Sequence, residues 1–159
     1  MDRAIEGEVI VDAPIERVWQ AWTTPEGTVS FFAPRCAIDL HPGGKYEMLF
    51  DLDAPPGKQG GEGVILLALQ PPRMLSFTWN APPEIPDIRA QRTHVTVRLE
   101  AVDSNRTKVT LVHDGWGEGA GWDAAFEYFS RAWNKIVLPR LQYRFEHGPL
   151  DWDNPPEVS

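Results

Sequence analysis

The segment from Ile10 to Gly27, IVDAPIERVWQAWTTPEG, constrains the fold more than any other part of the chain. Pro14 suits a first helical position, where its missing N–H removes a donor that has no partner anyway. Ile15, Val18, Trp19 and Trp22 then recur at the spacing of one buried helix face. Thr24-Pro25-Glu26 repeats the device with a hydroxyl N-cap, a first-turn proline and a carboxylate at the positive helix start. The pattern predicts two short helices wedged between a first strand and whatever follows. Trp19 and Trp22 are expected to anchor the wedge behind the sheet end, while Phe31 and Phe32 lie near an opening.

At 159 residues the chain is expected to form one domain over 1–159, with a loosely held tail from 149 to 159. A domain of this size buries roughly 68 to 70% of the surface its unfolded chain exposes, enough for a core that encloses a cavity. Fifteen Lys and Arg against 23 Asp and Glu, a net charge of -8, disfavour nucleic-acid and anionic-membrane partners, which need clustered positive charge. The single Cys36 cannot form an intramolecular disulfide. The start MDRAIEGEV lacks the basic and apolar regions of a signal peptide, and no apolar run reaches the length of a span, so a cytoplasmic protein is expected.

After the wedge the chain reads as strands. Arg35 to Leu40 ends at His41-Pro42-Gly43-Gly44, and Lys45 to Asp53 alternates with Tyr46, Met48, Phe50 and Leu52 on one face, which predicts a hairpin. The Pro- and Gly-rich run 54–63 is a loop. Val64 to Leu69 and Met74 to Asn80 predict a second hairpin, with Leu75, Phe77 and Trp79 on a common side. The segment 81–88 holds three prolines, too many for a strand interior, and is either a loop that covers a mouth or plain slack. Gln91 to Ala101, through Thr93, Val95, Val97 and Leu99, and Thr107 to His113, through Val109 and Leu111, predict a third hairpin.

A final helix of about 25 residues is expected from Trp122, Phe126, Phe129, Trp133, Ile136 and Val137, ending near Gly148-Pro149. Pro139 lies inside this pattern and is expected to kink the helix. Helices grouped at the two ends of a run of strands imply an α+β fold. The expected architecture is a curved antiparallel sheet of six to seven strands gripping the last helix.

VIVDAPIERVWQAWTTPEG from Val9, His41-Pro-Gly-Gly-Lys-Tyr46, GVILLALQPPRMLSFTW from Gly63, TKVTLVHDGW from Thr107 and AWNKIVLPRLQYRFEHG from Ala132 together resemble one known family. This is the START and polyketide-cyclase-like superfamily (SRPBCC), in its subfamily named after the activator of heat-shock-protein ATPase. The chain departs from the family at Ala132, where glycine is usual, and at Pro139. The resemblance implies a helix-grip fold with a hydrophobic pocket between sheet and helix. It implies no particular reaction, since relatives bind lipids, polyketides or hormones and some catalyse.

Seven Trp, seven Phe and three Tyr can line such a pocket, although a ring at helical spacing is more often ordinary core. The preferred wall is Met48, Phe50, Phe77, Trp79, Val95, Leu111, Phe126, Phe129 and Trp133, with Phe31 and Phe32 near the opening and Trp116 at the rim. His113 continues the inward parity of Val109 and Leu111, so it faces the pocket and is the polar candidate for orienting a ligand or moving a proton. The competing reading is a histidine satisfied by neighbouring groups. His94 has the opposite parity and faces out.

Gly115 to Ala120 matches the G-x-G-x-x-A dinucleotide pattern, but no strand follows to complete a βαβ unit, and Asp114 and Glu118 would repel a pyrophosphate. The run Gly57 to Gly63 contains Glu62 and is not a credible phosphate loop. Scattered histidines and one cysteine give no metal spacing, so neither metal nor cofactor is expected. Cys36, beside Arg35, is read as a small buried hydrophobe rather than an activated thiol. Glu47, Asp51 and Asp53 face outward.

The preferred function is enclosure of an apolar small molecule. The alternative is a cyclase- or hydrolase-type enzyme using the same pocket with His113 as base or orienting donor. A co-chaperone role, suggested only by the subfamily name, ranks last because the chain has no counterpart of that family's separate N-terminal domain. An apolar face left on an edge strand or on the last helix would support a homodimer.

Overall fold

The computed structural model describes residues 3–158. The first strand, β1 (Ile5–Val11), leads into α1 (Ile15–Thr23) and α2 (Pro25–Val29). Thr24 caps α2 as expected: its Oγ1 accepts from the Gly27 N–H at 2.9 Å. The wedge is tight, because a Cβ on Gly27 would lie 2.6 Å from the Ala21 Cα and would strike the Gln20 carbonyl. Only glycine lets α2 turn back this closely against α1.

Strands β2 (Arg35–Ile38), β3 (Tyr46–Leu49), β4 (Leu66–Gln70), β5 (Met74–Trp79), β6 (Thr93–Asp103) and β7 (Arg106–Asp114) follow, with a short helix α3 (Pro86–Arg89) inside the three-proline loop. Five strands pair antiparallel in the order β1-β7-β6-β5-β4, and β2 and β3 form a separate ribbon. Isolated bridges Lys45–Ile65 and Leu49–Gly60 tie the ribbon to the β4 side. The expected strand Lys45 to Asp53 ends early, at Leu49, because the N–H groups of Phe50 and Asp51 both turn to the Gln59 carbonyl, at 2.8 and 2.9 Å.

The C-terminal helix runs from Ala120 to His147 as α4 (Ala120–Ala132), a π-helical turn (Trp133–Val137) and α5 (Leu138–His147). The disturbance expected at Pro139 is thus a widened turn just before it. Proline has no N–H to donate into the ladder and its ring crowds the carbonyl four residues back, and a wider turn relieves both. The whole is an α+β fold with an antiparallel sheet bent around one long helix.

The core is an unbroken stack of rings. Trp22 meets Phe31 and Phe32 edge-on at 5.0 and 5.5 Å, and Phe32 reaches Tyr46, Trp79 and Trp133 at 6.5, 5.9 and 5.8 Å. Trp22 therefore sits within the core rather than behind the sheet end. Phe31 and Phe32 are fully buried, which corrects their expected place near an opening. The N–H groups of Phe31, Phe32 and Ala33 all bond to the Thr28 carbonyl, and this turn carries both rings inward. Tyr46 completes the packing by donating its hydroxyl to the Trp22 carbonyl at 2.6 Å.

The start of the tail, at Leu150 and Trp152, is docked on the wedge. The Leu150 N–H bonds to the Ser30 carbonyl at 2.9 Å, Trp152 Nε1 donates to the Val29 carbonyl at 2.6 Å, and Leu150 is buried. Two apolar side chains gain burial there, which offsets the entropy of ordering a short polar segment. Among the described residues no helix is long and apolar enough to cross a membrane.

Candidate functional site

Side chains fill the space between sheet and helix. Phe31, Phe32, Met48, Phe77, Trp79, Val95, Leu111, His113 and Trp133 are all buried, and their rings are mostly in direct contact. Near the place of the expected pocket lies a half-open recess of about 180 Å³ at one end, where the end of β5 meets α4 beneath the 81–89 loop. Trp79 and Phe129 form its apolar floor with Phe50 at the rim, while Asn80, Arg89 and Tyr128 bring polar groups to the edge. Of the expected wall, only Phe50, Trp79 and Phe129 line it. Phe50 is 43% exposed and stands on the rim, because its strand ends one residue earlier.

Trp116 and Phe126 pack on each other at 5.2 Å, away from the recess, and Arg3 lies over Phe126. Trp116 also covers His113, at 4.4 Å between rings, and donates its indole N–H to the His113 carbonyl. Gly115 and Gly119 have φ of +85° and +118°, so the glycine pattern shapes the turn that places Trp116.

His113 faces inward, but both ring nitrogens are engaged. Trp133 Nε1 lies 3.0 Å from Nδ1, and Thr93 Oγ1 lies 2.7 Å from Nε2. An indole nitrogen only donates, so Nδ1 accepts and the proton sits on Nε2, which donates to Thr93. The Thr93 hydroxyl passes the chain on to the Trp79 carbonyl at 3.3 Å. Burial, with His94 adding a smaller effect, pushes the His113 pKa down to about 3. The ring is a neutral, satisfied core group that does not line the recess. His94 is exposed and lies 3.4 Å from Asp114.

A polar clasp ties together the loops beside the recess. The Arg89 guanidinium donates to the carbonyls of Gly57 and Gly60, each at 2.9 Å, and to that of Ala81, and it lies 3.4 Å from Glu62. Asn80 Nδ2 also donates to the Gly60 carbonyl at 3.0 Å. Glu62 accepts from the N–H groups of Gly57, Gln59 and Gly60. Burial pushes its pKa up, but these backbone bonds together outweigh it and hold the carboxylate below its ordinary value. The chain's own carboxylate fills the backbone nest that a phosphate would need. No group of three His, Cys, Asp or Glu side chains with metal-binding geometry occurs among the described residues. Cys36 Sγ accepts from the Thr28 hydroxyl at 3.2 Å.

Sequence reading missed Asn80, Arg89 and Tyr128. Strand alternation sets Asn80 outward after Trp79, but β5 ends at Trp79 and the chain turns there. Arg89 closes the three-proline loop, and that loop was the signal available.

An antiparallel sheet gripping a long C-terminal helix, with two short helices after the first strand and an aromatic recess at one end, defines the helix-grip class of α+β proteins. Within that class the chain belongs to the family described as Activator of Hsp90 ATPase homolog 1-like protein, whose model matches residues 12–146. No curated protein matches the chain. Solved structures share the fold. Protein MLL2253 from Mesorhizobium loti is 20% identical, with 91% of this chain and 94% of that one covered and a TM-score of 0.67. The Aha1 dimer from Colwellia psychrerythraea is 21% identical over 92% and 98% of the two chains, at 0.66. PFC0360w from Plasmodium falciparum, an HSP90 activator, is 20% identical over 85% and 90%, at 0.62.

Proposed function

We propose that the chain binds a hydrophobic molecule about the size of one aromatic ring in the recess beneath the 81–89 loop. The observation that carries this reading is the apolar lining of Phe50, Trp79 and Phe129 beside a polar edge, in a volume of about 180 Å³. A protein cavity of roughly 150 Å³ accepts benzene, whereas drug-sized ligands occupy about 300 to 1,000 Å³. A polycyclic ligand would have to displace Phe32 or lift the loop. Asn80, Arg89 and Tyr128 at the edge would orient a ligand hydroxyl or carbonyl.

The test is NMR titration with phenol and with indole. Binding in the recess shifts the Trp79 indole, Asn80 side-chain amide and Tyr128 resonances; absence of any shift there at millimolar probe removes the reading. The enzyme alternative loses His113 as its base, because that ring has neither a free lone pair nor a place in the recess. A co-chaperone role is supported by the family's name and by the likeness to the Plasmodium falciparum HSP90 activator, and by no contact surface among the described residues of this chain. The Colwellia protein's dimer favours self-association of this chain as well, which sedimentation would measure.

A further inference from the structure

A second recess, also of about 180 Å³, lies at the other side of the wedge, where α5 meets α1 and α2. Arg17, Gln20, Thr24, Glu26, Ser30 and Arg144 line it. Arg17 and Arg144 both place their guanidinium groups on the Phe145 ring, at 5.3 and 5.1 Å, so the two cations are held within about 10 Å of each other. One turn away on α5, Arg140 stacks over Trp152 at 5.4 Å.

Two arginines line this recess and a third stands one turn away, in a chain of net charge -8, and among the described residues none of the three makes an ion pair or donates a hydrogen bond. The Nε atoms of Arg140 and Arg144 are buried without an acceptor. Burial lowers the pKa of both, and Arg17 adds to the effect at Arg144. The C-terminal end of α5 favours a cation at Arg144 but supplies no acceptor to its Nε. Buried donors normally have partners.

We propose that Arg17 and Arg144, with Arg140 beside them, form a binding site for a phosphate group that carries a proton. Paired guanidinium forks match phosphate oxygens in geometry and charge. Glu26 lines the same recess without pairing to either arginine, and its carboxylate would accept a hydrogen bond from a protonated phosphate oxygen. Sulfate has no such proton at neutral pH, so the site discriminates against it. The site lies on the α1, α2 and α5 side and shares no lining residue with the aromatic recess.

The experiment is calorimetric titration of the full chain at pH 5.5, where inorganic phosphate and most of a phosphomonoester carry a proton and sulfate does not, with inorganic phosphate, sulfate and O-phosphoserine, repeated on Arg17→Gln and Arg144→Gln. Phosphate is expected to bind, sulfate at least ten-fold more weakly, and each variant to lose at least ten-fold in phosphate affinity. O-Phosphoserine binding more tightly than free phosphate identifies a monoester as the source; weaker binding identifies the free ion. Should a variant fail to fold, wild-type NMR titration takes its place, with shifts at the Arg17 and Arg144 side chains and Gln20. Equal binding of sulfate, variants that bind like wild type, or shifts confined to other residues would overturn the proposal.

Discussion

The indole N–H of Trp133 meets Nδ1 of His113 across 3.0 Å, and this contact joins the long helix to the second-from-edge strand of the main sheet. It fixes the imidazole as neutral, with its proton on Nε2. NMR of the ring nitrogens should show this single tautomer at pH 7.

Acid stability follows from the same ring. The folded pKa of His113 is about 3, against an ordinary value of 6.5. Between the two, the unfolded chain binds a proton that the folded chain does not. The stabilising effect is complete above about pH 6.5 and is lost as pH falls toward the folded value, at about 1.4 kcal/mol per pH unit. Urea unfolding of wild type and His113→Gln between pH 7 and 4 isolates this slope from the carboxylates. The variant should lose stability less steeply by about one proton's worth; equal slopes would contradict the assignment.

Trp133→Phe keeps most of the ring's packing but removes the donor to Nδ1. The bared acceptor should cost about 1–3 kcal/mol. With its lone pair released, His113 should also titrate at a higher pH than in wild type, as histidine chemical shifts would show.

Gly27→Ala places a methyl group against the backbone of α1, 2.6 Å from the Ala21 Cα. Backbone cannot swing aside as a side-chain end can, so the wedge must open. We expect a loss of ~2–3 kcal/mol by thermal or urea unfolding. Stability within ~0.5 kcal/mol of wild type would show that the two helices are not rigidly wedged.

Arg89→Ala removes the clasp between the 57–62 and 81–88 loops while leaving the sheet intact. Amide exchange should quicken in those two segments, and protection in β5, β6 and β7 should stay unchanged. Uniform loss of protection across the sheet would instead make Arg89 a determinant of global stability.

Much of this architecture was legible because periodicity and capping are local. Thr24 announced α2 through its hydroxyl and the following proline, and the alternation of Val109, Leu111 and His113 set the histidine inward while His94 faced out. The resemblance carried by segments along the whole chain pointed to the family. Whether the interior is hollow or filled was not legible. Alternation says which face a ring points to, not whether rings from opposite walls meet; Phe32 touches Tyr46, Trp79 and Trp133 at once and closes the space. Phe50 obeyed its parity yet ended on the rim, because two N–H groups turning to one carbonyl at Gln59 stopped the strand. Leu150 and Trp152 were apolar signals in a polar tail, and their partners at Ser30 and Val29 lie too far back in the sequence for local reasoning to pair them.

The π-helical turn from Trp133 to Val137 has a consequence for chain length. Its wider loop of backbone stores one residue beyond what an α-helix of the same rise would contain. Shortening this segment by one residue would restore regular winding and keep Phe129 above it and Leu141 below it facing the same core, but would return the Pro139 ring to its clash with the carbonyl four residues back. The extra residue and Pro139 are thus a matched pair near the helix midpoint, beside the indole that holds His113, and loss of the one is tolerated only with replacement of the other.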